Sequence, residues 1–234
     1  MNTRRSICLL WPLLIVGAAT SAQESTNAPG SPPPKSVPLT EIVPLQTSGT
    51  TPAKPGVASA PGVKLLAGGS LAPDFISNDL AGKTVRLSDW MGKVVVLDFW
   101  ATWCGPCQKS LPHTQEVAKH FKGQGVVVLA CCTSDTRAKF EAWVKANQKT
   151  YPDITFTSDP NERGSATFED RASRKLYGVS GIPTQFIIAR DGKIAAVLVG
   201  YDDDDVRLEA SLARAGVQVD PVIAAKGEEQ IKKN

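Results

Sequence analysis

Residues 98–112 read DFWATWCGPCQKSLP and place two cysteines, Cys104 and Cys107, three positions apart. The overlapping run KVVVLDFW is apolar and rich in β-branched residues, which is typical of a strand buried on both faces. Apolar residues at helical spacing follow Cys107, so the pair is expected at a strand-to-helix junction. Residues i and i+3 of a helix are neighbours, and the two thiols can therefore close a disulfide without unfolding the chain.

The position of the pair favours thiol–disulfide exchange. A helix N-terminus stabilises negative charge and should lower the pKa of the Cys104 thiol. Cys107, one turn further, should be shielded, which predicts an exposed nucleophile and a buried resolving thiol. Two other uses are weaker: so short a loop makes a poor structural staple, and a zinc site needs a second ligand pair, which two histidines and the adjacent Cys131–Cys132 do not provide.

Strands that alternate with helices, followed by a hairpin, indicate an α/β fold with a mixed central sheet. GVVVLACC predicts a second buried strand, and PTQFIIA and IAAVLVG predict an antiparallel hairpin around Asp191-Gly192. Amphipathic helices are predicted near Phe140–Val144 and over about 203–215. Residues 151–175 are polar and are expected to be irregular.

The first 22 residues have the order of a secretory signal peptide: Arg4 and Arg5, an apolar run, then small residues up to Ala22. We expect cleavage after Ala22, with an uncleaved membrane anchor as the alternative, and a periplasmic or otherwise extracytoplasmic location, where disulfides persist. Residues 23–64 are rich in Pro, Ser and Thr and predict a disordered linker.

The remaining chain predicts one domain over 65–216 and a flexible tail over 217–234. A hydrophobic content of 42% is ordinary for a protein with a core. The net charge of +3 comes without a basic stripe interleaved with aromatics, which argues against a nucleic-acid partner.

Several segments together resemble the thioredoxin superfamily, specifically its extracytoplasmic TlpA/ResA-like branch of redoxin (AhpC/TSA-like) domains. These are APDF, GKTVRLSDWMGKVVVLDFWATWCGPC, YGVSGIPTQFII and DGKIAAVLVG, in the family's order, and the resemblance covers about 65–215. It implies a thioredoxin fold, with an N-terminal extension and an insert before a cis-proline. It also implies a thiol:disulfide oxidoreductase whose only redox centre is the Cys104–Cys107 disulfide, with no dissociable cofactor and no metal.

The resemblance assigns roles to individual residues. Cys104 matches the attacking thiol and Cys107 the resolving thiol, while Asp98 matches a buried acid that relays a proton to or from Cys107. Burial should raise the pKa of Asp98. Pro183, in GIPT, resembles the cis-proline that faces the disulfide, which would leave the Ile182 backbone free to pair with a substrate strand.

Residues around the motif are expected to contact the substrate, and the partners follow from the resemblance. Trp103 matches the aromatic beside the motif, Gly105 and Pro106 separate the cysteines, and Pro112 matches a proline that kinks the helix. Gly-Pro between the cysteines favours a reductant of protein disulfides over an oxidant. The implied partners are oxidised secreted or membrane-attached proteins, apocytochrome c among them by analogy, and a membrane electron donor of the thiol-transfer type.

Two features depart from the family pattern. The lysine that thioredoxins place on the neighbouring strand is not evident in VVVLACCTSD. The stretch 151–178 is longer than in a plain thioredoxin and predicts an insert that sets partner choice. Its basic residues form either a docking face or, more simply, a solvated face: Arg163, Arg171, Arg174 and Lys175.

Some residues have a simpler structural interpretation. Cys131 and Cys132 point to opposite faces of a strand, and core packing is expected, with an auxiliary thiol or a vicinal redox switch as alternatives. His113 and His120 are expected to face solvent. The acidic run Asp202–Asp205 is expected at a helix N-terminus, where it complements the helix dipole.

Two other functions remain open on sequence grounds. A thiol peroxidase of the redoxin type would carry Pro-x-x-x-Thr-x-x-Cys, but Thr102 lies two residues before Cys104, not three. A non-enzymatic chaperone or scaffold would not need an intact CGPC.

Overall fold

The computed structural model describes residues 64–233. The predicted signal peptide (1–22) and the predicted linker, apart from Lys64, lie outside the described residues. Within the described part of the chain, no helix combines the length and apolarity that a membrane span requires.

A seven-stranded mixed sheet forms the centre of the described part of the chain, in the order β2-β1-β5-β4-β3-β6-β7. β3, β4 and β5 are parallel to one another, and the remaining pairs are antiparallel. The strands are β1 (Ile76–Asn78), β2 (Thr84–Arg86), β3 (Val94–Trp100), β4 (Val126–Cys132), β5 (Ile154–Ser158), β6 (Thr184–Ile188) and β7 (Ile194–Val199).

Within residues 64–233, five α-helices accompany the sheet: α1 (Gly105–Phe121), α2 (Arg137–Asn147), α3 (Ala172–Lys175), α4 (Arg207–Arg214) and α5 (Pro221–Lys233). Short 3-10 helices cover Leu87–Trp90, Lys122–Gln124 and Phe168–Asp170. The predicted hairpin is present as β6 and β7, and Gly192 takes the positive φ of +81° that its turn requires.

Strand β3 lies in the middle of the sheet, and every one of its residues is buried. Successive residues of the strand point to opposite faces of the sheet. Val96 and Trp100 join the cluster that includes Leu111 of α1, while Leu97 and Phe99 join the cluster that includes Tyr177. Full burial of one such side chain contributes about 1.5–3 kcal/mol, so the strand that precedes the cysteine pair is firmly anchored.

Strand β5 corrects the prediction of an irregular segment over 151–175. It pairs in parallel with β4, from Val128 opposite Ile154 to Cys132 opposite Ser158. Its five residues carry three β-branched side chains within a polar stretch, too short a signal to separate from a loop by sequence. Residues 159–171, which follow it, are irregular apart from one short 3-10 helix.

The C-terminal segment corrects the prediction of a flexible tail over 217–234. Residues 221–233 form α5, which packs on α4: Arg214 pairs with Glu228 at 2.6 Å, and the side chain of Gln230 accepts from Val206 N–H at 2.9 Å. Gly227 is buried, and an added Cβ would lie 2.3 Å from the Val206 carbonyl oxygen. The helix depends on this close approach, which local propensity does not show.

Candidate active site

The cysteine pair lies at the junction of β3 and α1. Cys104 and Cys107 are joined by a disulfide, with Cα atoms 5.2 Å apart. Cys104 is the N-cap of α1, and the Cys107 backbone N–H donates to its sulfur at 3.2 Å. This amide and the helix dipole both stabilise negative charge on Cys104 when the disulfide is reduced.

Both sulfurs are nearly inaccessible in the disulfide form. Cys107 is 1% exposed, as predicted, but Cys104 is only 4% exposed, so the prediction of an exposed Cys104 is wrong for this state. The cause is the loop before β6, whose Ile182 carbonyl oxygen lies 3.7 Å from the Cys104 sulfur. The Ile182–Pro183 bond is cis, as predicted, and Pro183 is buried.

A loop after β4 holds the turn that leads into Cys104. The Asp135 carboxylate accepts from the Thr102 N–H and hydroxyl, both at 2.7 Å. Trp103 donates its indole N–H to the Ser134 carbonyl at 2.9 Å. Asp135 was not predicted from the sequence, although parallel β3 and β4 bring their carboxyl ends to the same edge of the sheet.

Trp103 is the exposed aromatic beside the pair. Its side chain is 53% exposed, and the guanidinium of Arg163 lies over its ring at 5.3 Å from the centroid. Gly105 and Pro106 are exposed next to it, and Pro112 lies inside α1.

The four basic residues of the insert do not form one docking face. Arg163 lies on Trp103, whereas the other three make local ion pairs with Glu169 or Asp170: Arg171, Arg174 and Lys175. Exposed pairs of this kind contribute little free energy. The insert therefore offers one basic side chain to the surface beside the disulfide.

Asp98 is buried within β3 and 1% exposed. Desolvation raises its pKa to about 6, as the sequence predicts, and a hydrogen bond from Gln185 lowers it in part. The Gln185 amide donates to Asp98 Oδ2 at 3.1 Å, while Oδ1 has no partner among residues 64–233. No lysine faces Asp98 from β4, where its neighbour is Ala130.

One of the side-chain predictions near α4 is wrong. His113 is half-buried rather than solvent-facing, and it bonds Glu209 of α4 at 2.8 Å, which raises its pKa. The bond between His113 and Glu209 joins residues far apart in sequence and leaves no periodic signal. The acidic run lies directly before α4, as predicted, and Asp205 accepts from the Arg207 N–H at 2.9 Å. Asp205 is also buried and pairs with the Arg207 guanidinium at 2.6 Å. His120 is exposed, as predicted.

Cys131 and Cys132 pack in the core, on opposite faces of β4, and are not bonded to each other. Burial raises the pKa of both thiols well above the ordinary value. Across residues 64–233, no group of three or more His, Cys, Asp or Glu side chains is placed to hold a metal ion.

Comparison with known proteins agrees with this site. The profile of the AhpC/TSA family matches residues 69–197, which is more than half of the chain. The chain belongs to the AhpC/TSA family. Among curated members, the thiol-disulfide oxidoreductase ResA of Bacillus subtilis (strain 168) is 35% identical over 139 residues, which cover 59% of this chain and 71% of the relative. ResA of Geobacillus thermodenitrificans (strain NG80-2) is 34% identical over 56% of this chain and 69% of its own.

A solved structure supports the same assignment. A Chlorobium tepidum chain described as a thiol:disulfide interchange protein DsbE has a TM-score of 0.52 and 34% identity, over 65% of this chain and 99% of that one. This AhpC/TSA family member therefore has the thioredoxin fold. With its CGPC disulfide and its ResA relatives, it is a thioredoxin-like thiol-disulfide oxidoreductase.

Proposed function

We propose that this oxidoreductase reduces protein disulfides outside the cytoplasm. The observation that carries the proposal is the Cys104–Cys107 disulfide at the N-terminus of α1, in the same core as the buried acid Asp98. Gly-Pro between the cysteines favours a reductant. The signal-peptide pattern of residues 1–22 supports export, with membrane anchoring as the outcome if the segment is retained.

The reduced protein begins the reaction with a Cys104 thiolate. It attacks one sulfur of the substrate disulfide, forms a mixed disulfide, and releases the other substrate sulfur as a thiolate. Cys107 then gives its proton to the Asp98 carboxylate, and its thiolate attacks the Cys104 sulfur. The mixed disulfide breaks, the second substrate thiolate leaves and takes up a proton, and two electrons have passed from the cysteine pair to the substrate.

The substrate is proposed to lie across the surface formed by Trp103, Gly105, Pro106 and Ile182. Trp103 offers an exposed ring, and Gly105 and Pro106 leave the helix start open. The Ile182 carbonyl lies next to the Cys104 sulfur, where it can accept a backbone hydrogen bond from an extended substrate segment. Pro183 fixes this loop against the disulfide.

The proposed partners follow from a reductant in an oxidising compartment. Its substrates are oxidised secreted or membrane-attached proteins, with apocytochrome c as one candidate. Each turnover leaves the Cys104–Cys107 disulfide, so a membrane electron donor of the thiol-transfer type must reduce it again. No dissociable cofactor takes part.

The test is the reduction potential of the Cys104–Cys107 couple, measured on the chain lacking only residues 1–22 in a glutathione or dithiothreitol series. A reductant is expected near the thioredoxin value of about −270 mV. A potential near the strongly oxidising end, about −120 mV, would contradict the proposal and indicate a protein that introduces disulfides.

A further inference from the structure

Asp98 has an unusual setting for a buried acid that exchanges protons. Its β4 neighbour is Ala130, and among residues 64–233 no positive side chain pairs with its carboxylate. Burial raises its pKa, and the Gln185 hydrogen bond lowers it in part. α1 brings two titratable groups to this region, Cys107 and His113, of which Cys107 is in the disulfide and His113 bonds Glu209 of α4. The glutamine is therefore the one polar contact that the described chain gives this carboxyl.

The sheet register brings Gln185 to Asp98. The two residues are direct partners across antiparallel β3 and β6, and their side chains therefore share one face. Gln185 is 8% exposed. Its amide nitrogen lies 3.1 Å from Asp98 Oδ2 and 3.4 Å from the Thr114 hydroxyl of α1, so both amide hydrogens have an acceptor. Two acceptors on one nitrogen fix which end of the amide faces the carboxylate.

Thr114 connects this contact to the helix that carries the resolving cysteine. It lies seven residues after Cys107, which places both on the same face of α1, and it is buried like Cys107. The amide thus links the acid on β3 to the reactive helix. It occupies only Oδ2 and leaves Oδ1 without a partner among residues 64–233.

We propose that Gln185 is a positioning residue for the resolving step, which holds the Asp98 carboxylate by Oδ2 and leaves Oδ1 to accept the Cys107 proton. The proposal rests on the proton-transfer role given to Asp98 in the proposed function. Gln185 is a neutral hydrogen-bond donor and not a positively charged partner, so it stabilises the ionised form of Asp98 only in part. It thereby sets the pH above which Asp98 is an available base.

The sign of the effect follows from the hydrogen bond. Gln185→Met keeps the approximate size of the side chain and removes both amide hydrogens. The ionised form of Asp98 loses its donor, the neutral form is favoured, and the pKa of Asp98 rises further. Because a hydrogen bond to a buried charge is among the stronger ones, we expect a rise of about one pH unit.

The rate of the resolving step reports this rise. The reduced chain, lacking only residues 1–22, is mixed with an aromatic disulfide that releases coloured thionitrobenzoate, first on attack by Cys104 and again on resolution by Cys107. The second phase is followed from about pH 5 to about pH 9. In Q185M its inflection should move up by about one unit, with rates about tenfold lower on the acid side and unchanged on the alkaline side.

Controls separate positioning from a general loss of packing. Gln115→Met makes the same change at a second buried glutamine, which lies on α1 and donates its amide to Asp153, and it should leave the inflection in place. Thr114→Val should move it in the same direction as Q185M, by a smaller amount. The infrared band of the Asp98 carboxyl, identified by its loss in Asp98→Asn, gives the same titration without turnover.

The outcomes are distinguishable. If Asp98→Asn abolishes the inflection but Q185M leaves it in place, the role of Gln185 is overturned and that of Asp98 stands. If Asp98→Asn leaves the pH profile unchanged, Asp98 does not transfer the proton, and the positioning role of Gln185 is overturned as well. Disulfide exchange through the two cysteines is unaffected by that outcome. If Q185M does not fold, an infrared titration of T114V identical to that of the unmodified protein would also overturn the inference.

Discussion

At the residue scale, the site is organised by buried polar groups whose partners lie far away in sequence. Asp98 bonds Gln185, and Asp135 bonds Thr102, in each case across the sheet or between loops. Asp98 itself is predictable, because an acid inside VVVLDFW is costly to bury without a purpose. Gln185 is not predictable in the same way, since only the register of β3 against β6 reveals which residue faces it.

The burial of Asp98 predicts a pH-dependent cost in stability. Its pKa rises from 3.8 to about 6 in the folded protein, so the folded state binds this proton more tightly than the unfolded state. Stability is therefore lost as pH rises from about 4 to 6, and the loss is complete above that range, at about 3 kcal/mol. Asp98→Asn should stabilise the disulfide form by about this amount at about pH 8 and by little at about pH 4, measured by urea unfolding.

Asp153 provides the matched control for this experiment. Hydrogen bonds from Lys122 and Gln115 lower its pKa, which is the opposite shift. Asp153→Asn should therefore lose stability at neutral pH and approach the unmodified protein in acid. An Asp98→Asn effect that does not change with pH would contradict the burial argument.

At the element scale, strands and helices with a clear hydrophobic period were predictable from the sequence. Elements that depend on contacts with distant segments of the chain were not. β3, β4 and the β6–β7 hairpin follow from apolar runs and from the Asp191-Gly192 turn. β5 sits in a polar stretch and is a strand because β4 pairs with it. α4 is joined to α1 by a bond between His113 and Glu209 that no local pattern indicates.

The His113–Glu209 contact predicts a second pH dependence, with the other sign. The hydrogen bond that protonated His113 donates to the Glu209 carboxylate raises the pKa of His113 above 6.5. Its contribution to stability is therefore present below that pH and is lost as pH rises through the folded-state pKa. Glu209→Gln should cost about 1 kcal/mol at about pH 6 and less at about pH 9, by urea unfolding.

Glu116, exposed on α1, is the control for this pair, and Glu116→Gln should have little effect at either pH. Equal destabilisation by Glu209→Gln at both pH values would show that the contact does not depend on the charge of His113.

At the scale of the whole molecule, the cysteine motif and its flanking strands were enough to predict the fold, but not where the domain ends. The sequence prediction places the boundary at residue 216 and expects the polar end of the chain, GEEQIKKN, to fray. The structure extends the packed unit to Lys233: Val217 is buried, and Val219 and Ile231 pack against the core cluster. The boundary depends on tertiary contacts, because α5 is held in place by packing on α4 and not by its own helix propensity.

Ending the chain at residue 216 should therefore destabilise the whole molecule. Removal of α5 exposes apolar surface on α4 and breaks the Arg214–Glu228 pair, so we expect the Tm to fall by about 5 °C or more.

The substitution Gly227→Ala tests the same contact without removing the helix. In a free tail alanine would favour the helix by about 1 kcal/mol, but against α4 its Cβ would lie 2.3 Å from the Val206 carbonyl oxygen. If α5 packs on α4, Gly227→Ala should therefore lower the Tm and speed amide hydrogen exchange over 221–233. Lys226→Ala, at the exposed neighbouring position, should change neither quantity. A Gly227→Ala variant as stable as the unmodified protein, together with no loss on truncation, would restore the flexible tail.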